Sequence, residues 1–356
     1  MNLFGSRTAE NVAVYCGAAL FGYVAYLLAV PLPWMIGPMV FSAGLALLWR
    51  SARVPRITRP IGQMVVASVV GLSFTAESVT ALGQLVLPMV LVALLTIVAG
   101  FIAAAVLMRL ADMDVVAAGL ASIPGGPVEM AALAEHHNVP PAPIALAQTL
   151  RISLLVLIIP PVLVAISGGA PNAALTVGER SLPGMLLLFA LAVAGGLLFR
   201  WLRITSPFFL GALGFNAAAT AFALPVSMPP YWVLAGAQIL LGVWLGCMFD
   251  RETLARTRAF VLAAIVSTGV LIVLCAGMAF AIAAVTGIDW HTMILATAPG
   301  SVTEMALTAK ILNQQVAIVT AFHIVRIFII LPFLPLIFSI TAKLANRSRE
   351  RGGEVR

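Results

Sequence analysis

The sequence predicts an all-α polytopic membrane protein of two inverted-topology repeats, each with about five transmembrane helices plus one re-entrant or broken Pro-Gly hairpin segment. Three observations predict it. The composition is too apolar for water, the apolar segments fall into two sets of six, and the two sets align on polar landmarks.

Of 356 residues, 62% are hydrophobic and 9% charged, and the mean hydropathy is +1.09. A soluble domain carries about a quarter charged residues, so much of this surface must face hydrocarbon. Lys and Arg outnumber Asp and Glu by 20 to 13, a net charge of +7. In a soluble chain that surplus would point to nucleic acid. Here the basic residues sit in short loops and the tail, where positive charge sets membrane orientation. Cys16, Cys247 and Cys275 lie in apolar stretches with no C-x-x-C pair, which supports neither a disulfide nor a zinc site. The first long apolar run begins near Val12 and is followed at once by another, unlike a cleaved signal peptide.

The apolar segments run over 11–30, 32–49, 60–76, 84–108, 115–134 and 142–167, then 183–200, 206–224, 230–249, 259–286, 290–310 and 314–340. Crossing a bilayer as a helix takes about 20 apolar residues, so most qualify, some marginally. The two sets align. Asp114 to Pro160 matches Asp289 to Pro335 without a gap, a shift of 175 positions. Within it P-G-G-P-V-E-M (124–130) pairs with P-G-S-V-T-E-M (299–305), Asn138 with Asn313, and Arg151-Ile152 with Arg326-Ile327. Gln63 pairs with Gln238 and Gly71 with Gly246 at the same shift; Gly22, Pro33 and Gly37 pair with Gly196, Pro207 and Gly211 at a shift of 174. Chance in apolar sequence aligns Leu with Ala, not Pro, Glu, Arg and Asp together. The repeats are read as 1–175 and 176–341, with a basic tail at 342–356.

Charge then orients the halves. The basic loops hold Arg50, Arg53, Arg56 and Arg59; Arg200 and Arg203; Arg251, Arg256 and Arg258; the tail holds Lys343, Arg347, Arg349 and Arg351. If all six segments of each half cross, with the N-terminus inside, the loops at 200–206 and 249–258 fall outside, against the positive-inside tendency. Five crossings per half invert the second copy and bring every basic loop inside, with both termini cytoplasmic. The segments best suited not to cross are 115–134 and 290–310, each interrupted midway by Pro-Gly. From Val115 to Ile123 a helix would rise about 13 Å, near the midplane of a core about 30 Å thick. Irregular backbone at that depth belongs inside protein or along a cavity, and paired half-helix hairpins at a repeat interface recur in transporters. A broken helix that crosses remains the alternative.

Ionisable groups inside apolar segments default to function. Glu129 and Glu304 follow the Pro-Gly breaks in the first turn of the returning half-helix, where a carboxylate suits the helix dipole. The same free N–H groups beside Gly125, Gly126, Gly300 and Ser301 could instead hold an anion. Arg151 and Arg326 lie on the next segment within expected reach of Glu129 and Glu304, either neutralising them or serving a substrate. Gln148 and His323 precede those arginines by three residues and share their face. Thr303 adds a hydroxyl where the first copy has Val128, so the copies are chemically unequal. Asp114 and Asp289 read as helix caps. Gln63 and Gln238 either line a path or hydrogen-bond between helices. His136 and His137 sit in a loop with Pro140-Pro141. No H-E-x-x-H, carboxylate cluster or thiolate set suits a metal, and no Gly-x-Ser-x-Gly or phosphate loop appears. No metal, no cofactor, no nucleic acid and no enzymatic activity are expected.

The motifs I-P-G-G-P-V-E-M-A (123–131) and A-P-G-S-V-T-E-M-A (298–306), with P-W-M-I-G-P-M (33–39), resemble the AbrB-type membrane protein family. The resemblance covers nearly the whole chain. It implies a duplicated module in a bacterial inner membrane. Members carry the labels ammonia monooxygenase or AbrB regulator, and the family is unrelated to the soluble DNA-binding regulator of that name. The monooxygenase label needs a copper or iron site that these residues do not supply. The expected function is secondary transport of a small solute, anionic in one version. Gly125, Gly126, Glu129, Arg151, Gly300, Ser301, Thr303, Glu304, His323 and Arg326 form the candidate site, coupled to a proton or cation. The alternative is a membrane regulator or scaffold without transport. The expected partners are the solute, the bilayer and, as an open option, a second copy.

Overall fold

A computed structural model describes residues 7–48, 54–167, 181–330 and 332–333. Arg50, Arg53, the boundary at 175/176, Pro335 and the tail at 342–356 lie outside the described residues. Within them the chain is all α-helical, a multi-pass membrane protein. The first half contributes α1 (Arg7–Leu27), α2 (Pro33–Leu48), α3 (Thr58–Gly71), α4 (Ala76–Gly83), α5 (Val86–Ala111), α6 (Val115–Ser122), α7 (Pro127–His136) and α8 (Pro141–Ser167). The second contributes α9 (Leu182–Trp201), α10 (Pro207–Ala221), α11 (Tyr231–Gly246), α12 (Arg251–Arg256), α13 (Arg258–Thr286), α14 (Trp290–Thr297) and α15 (Val302–Ile311), then α16 (Val316–Ile330).

Two elements differ from the sequence expectation. The segment at 60–76 stops at Gly71, and a separate helix, α4, leaves at 88°. Thr75 starts it by accepting the Ser78 N–H at 3.2 Å, and hydropathy does not register such a cap. The basic loop after α11 also coils into the short α12. By length and composition α5, α8, α9 and α13 can each cross a membrane, with a fifth span if α3 and α4 count as one. At 15 or 16 residues, α2, α10 and α11 reach about 23 Å, short of a core of about 30 Å. Length alone therefore does not reach five crossings per half. The apolar windows had counted residues such as Leu28, Val30, Phe222 and Leu224, which lie beyond the helix ends.

The chain divides into two compact units that cut across the sequence halves. One takes the described residues of Met1–Leu85, Val156–Arg251 and Val302–Thr320; the other takes those of Val86–Leu155, Glu252–Ser301 and Ala321 onward. In the first unit α1 packs on α2 and α9 on α10, while α2 packs on α11 and α10 on α3. Each helix thus meets the counterpart of what its own counterpart meets, the exchange that a two-fold operation produces. Single residues show it. A Cβ on Gly71 would lie 2.8 Å from Asn216 Cβ, and one on Gly246 would lie 2.8 Å from Ser42 Cβ; Asn216 and Ser42 occupy matching positions. In the second unit α5 packs on α13, α5 on α6, and α13 on α14.

Backbone strain repeats as well. Left-handed φ angles occur in matched pairs at Ala29 and Arg203, Leu32 and Ser206, Asp112 and Gly287, and Asn138 and Asn313. Left-handed non-glycine residues are a few per cent of a chain, so their recurrence at matching positions is a second record of the duplication.

Candidate functional site

Both Pro-Gly segments are helix–break–helix units of matching length. The first runs from α6 (8 residues) to α7 (10 residues), the second from α14 (8 residues) to α15 (10 residues). Ile123 leaves α6 at φ −66° and ψ 130°, and Gly126 enters α7 at φ −76° and ψ 143°. Ala298 leaves α14 equally extended, at ψ 134°. Each break strands the last carbonyls of the helix before it, which have no intrahelical partner.

Arginine satisfies those carbonyls. Arg151, on α8, donates from Nη1 to the Ser122 and Ile123 carbonyls at 3.3 and 3.4 Å, and from Nη2 to the Gly125 carbonyl at 3.1 Å. Arg326, on α16, donates from Nη1 to the Ala298 carbonyl at 2.6 Å and from Nη2 to the Gly300 carbonyl at 2.5 Å. Ile123 matches Ala298 and Gly125 matches Gly300, so one clamp is built twice. Gln148 completes the first clamp. Its Nε2 donates to the Leu120 and Ile123 carbonyls at 2.7 and 3.0 Å, and its Oε1 accepts from Arg151. A cation at a helix C-terminus also meets the favourable end of the dipole. These bonds correct the expected assignment. Among the described residues the guanidinium groups donate to main-chain carbonyls and, for Arg151, to Gln148 Oε1, where the sequence had offered Glu129 and Glu304 or a substrate as their partners.

The two arginines are 2% and 5% exposed. They lie in one compact unit, which also holds Cys275. His323 is buried at the position matching Gln148. Gly125 and Gly126 leave room for side chains. A Cβ on Gly125 would meet Met130, which is fully buried, and one on Gly126 would meet the Glu129 carboxylate. Glu129 therefore folds back over the break. Glu304 and Thr303 are both buried, while Val128, the match of Thr303, is exposed. The structure thus brings Arg151 to Gly125 and Arg326 to Gly300. Ser301 and His323 belong to that unit too, while Thr303 and Glu304 fall in the other, where α15 packs on α3.

The aspartates cap. Asp114 Oδ2 accepts the Val116 N–H at 3.1 Å, and Asp289 Oδ2 accepts the His291 N–H at 3.1 Å. Asp114→Ala is expected to lower stability by about 1 kcal/mol, read as a lower melting midpoint in detergent with the helical far-UV spectrum retained. Gln238 is fully buried, and among the described residues neither side-chain polar atom has a hydrogen-bond partner.

Sequence reasoning missed Asn216, which donates to Ser68 Oγ at 3.2 Å between α10 and α3. It also missed a hydroxyl set on α6 and α13. Ser267 Oγ donates to the Ala103 carbonyl at 2.8 Å and meets Ser122 Oγ at 3.3 Å. A lone Asn in an apolar helix was a readable signal. Single Ser and Thr residues in such helices were not, because they bond their own backbone routinely.

A family described as "Transition state regulatory protein AbrB" matches residues 34–342. The chain is 23% identical to "Uncharacterized protein YhjN" of Bacillus subtilis, over 95% of this chain and 94% of that protein. It is 27% identical to "Putative regulator AbrB" of Escherichia coli, over 85% of this chain and 89% of that protein.

Proposed function

The chain belongs to the AbrB family of membrane proteins, and on that premise we propose that it is a secondary transporter of a small anionic solute. It works by alternating access, with the two halves inverted in the membrane and a proton or cation as coupling ion. The observation that carries the reading is the doubled clamp. Two extended breaks are each held by a buried arginine of the same compact unit. Buried like charges without carboxylate acceptors in their hydrogen bonds favour an anion nearby. The first break ends in the N-terminus of α7, in the same unit as the arginines, and the first-turn N–H groups of a helix suit an anion. Inversion is supported by the basic loops, which fall on one side only if each Pro-Gly segment returns to the face it entered.

Glu304 is the coupling residue in this reading: it is 4% exposed and sits in the first turn of α15. Glu304→Gln in proteoliposomes is expected to abolish pH- or cation-gradient-driven uptake of small carboxylates while leaving the fold intact. Uptake at the wild-type rate would remove its coupling role.

A second reading is a regulator or scaffold that moves nothing. The printed name of the Escherichia coli relative favours it. Under that reading no gradient drives uptake in any arm of the same experiment.

A further inference from the structure

Beside Arg151 lies a small chamber within one compact unit, and the positions that match its lining across the duplication have a different composition. The chamber is lined by Ser122, Ala147, Arg151, Ser267, Thr268 and Leu271 among others. Its volume is ≈ 10 Å³, counted as room for the centre of a water-sized guest, about what one such guest needs. Arg151 Nε is buried and has no hydrogen-bond partner among the described residues. The other nitrogens of that guanidinium are held by carbonyls and Gln148.

At the positions that match across the duplication, Phe322 stands for Ala147, Val92 for Ser267 and Ala93 for Thr268. Phe322 is among the largest fully buried side chains. The matching set thus carries a ring and two apolar residues where the chamber carries a methyl and two hydroxyls, each set drawing on both repeats.

We propose that the chamber beside Arg151 binds one small monovalent anion of the chloride class. Charge selects an anion over water. Among the described residues the Arg151 guanidinium makes its hydrogen bonds only to neutral acceptors, and Arg326 lies in the same compact unit. A water would satisfy Nε and leave that charge unbalanced in a low-dielectric interior, where it is most costly. The walls also offer donors. Ser122 and Ser267 meet at 3.3 Å, long for a hydroxyl pair, so the Ser122 proton is weakly held and free to turn inward. Thr268 contributes another hydroxyl to the lining. Chloride is roughly a quarter wider than water, so a chamber that just admits a water must widen to hold it, and the short Ser122, Ser267 and Thr268 side chains in its wall can turn to make that room. A dicarboxylate or a phosphate is far too large.

The inference does not rest on transport and is tested without a gradient. Purified full-length protein is dialysed against radiochloride with gluconate as the balancing anion, and its melting is compared in chloride and in gluconate. One bound chloride per chain is expected, with a melting midpoint on the order of 2 °C higher in chloride. Ala147→Phe installs the ring of the other copy and should lose the bound chloride. Thr268→Ala, a milder change that keeps the packing, should weaken binding at least several-fold. Absence of bound chloride on the wild-type protein overturns the proposal and leaves a water in the chamber. Full binding retained by both variants also overturns it, because the anion then lies elsewhere.

Discussion

Arg326→Ala should destabilise the protein by about 2–4 kcal/mol. Its two hydrogen bonds, to the Ala298 and Gly300 carbonyls at 2.6 and 2.5 Å, are charge-assisted, each worth about 1.5–3 kcal/mol. Alanine removes both and leaves two carbonyls beside the break without their donor. The opposing effect is relief of the desolvation of a buried guanidinium, which keeps the net below the sum of the two bonds. Arg326→Lys should recover only part of the loss. An ammonium carries the charge but cannot present two fixed N–H groups to carbonyls two residues apart. The measurement is a denaturant or thermal midpoint in detergent for wild type, Arg326→Ala and Arg326→Lys. A lysine variant as stable as wild type would show that charge, and not the fork, holds the break.

Gly211→Leu should cost about 1–3 kcal/mol or more, because the group it strikes is main chain. A Cβ on Gly211 would collide with the Gly195 carbonyl, and one on Gly195 would collide with the Gly211 carbonyl. A side chain can turn away from such a collision, but two helix backbones in contact cannot do so cheaply. The same approach occurs in the first copy, where Gly37 faces the Phe21 carbonyl, so Gly37→Leu should behave alike. Gly236 is the internal control. Nothing lies within 4 Å of a Cβ placed there, and Gly236→Ala should be neutral or stabilising by up to about 1 kcal/mol on helix propensity. Equal destabilisation by Gly211→Leu and Gly236→Ala would remove the packing explanation.

How far the sequence could be read follows from which interactions leave a mark in it. The duplication was legible because Pro, Gly, Asp, Glu and Arg recur at a fixed shift, and the structure repeats it in helix lengths, left-handed residues and exchanged packing partners. Asp114 and Asp289 were legible as caps, since a carboxylate just before an apolar half-helix has few other uses. The break in α3–α4 was not, because a Thr cap after Ser73-Phe74 looks like one more residue of an apolar run. The partner of each arginine was not legible either. A buried carboxylate nearby in sequence is the obvious acceptor, whereas stranded main-chain carbonyls become visible only once α6 and α14 are seen to stop at Ser122 and Thr297. The chamber beside Arg151 depends on Ala147 being small and on Ser267 and Thr268 arriving from α13, far away along the chain.

The central claim is that the two clamped breaks belong to copies facing opposite ways in the membrane. On a background lacking Cys16, Cys247 and Cys275, single cysteines at His136 and Gln315, both exposed and lying at or beyond the far end of the half-helix that follows each break, can be labelled with a membrane-impermeant maleimide. The comparison is between right-side-out and inside-out vesicles. The account predicts that His136→Cys labels from the cytoplasmic side and Gln315→Cys from the opposite side. Labelling of both from the same side would contradict it.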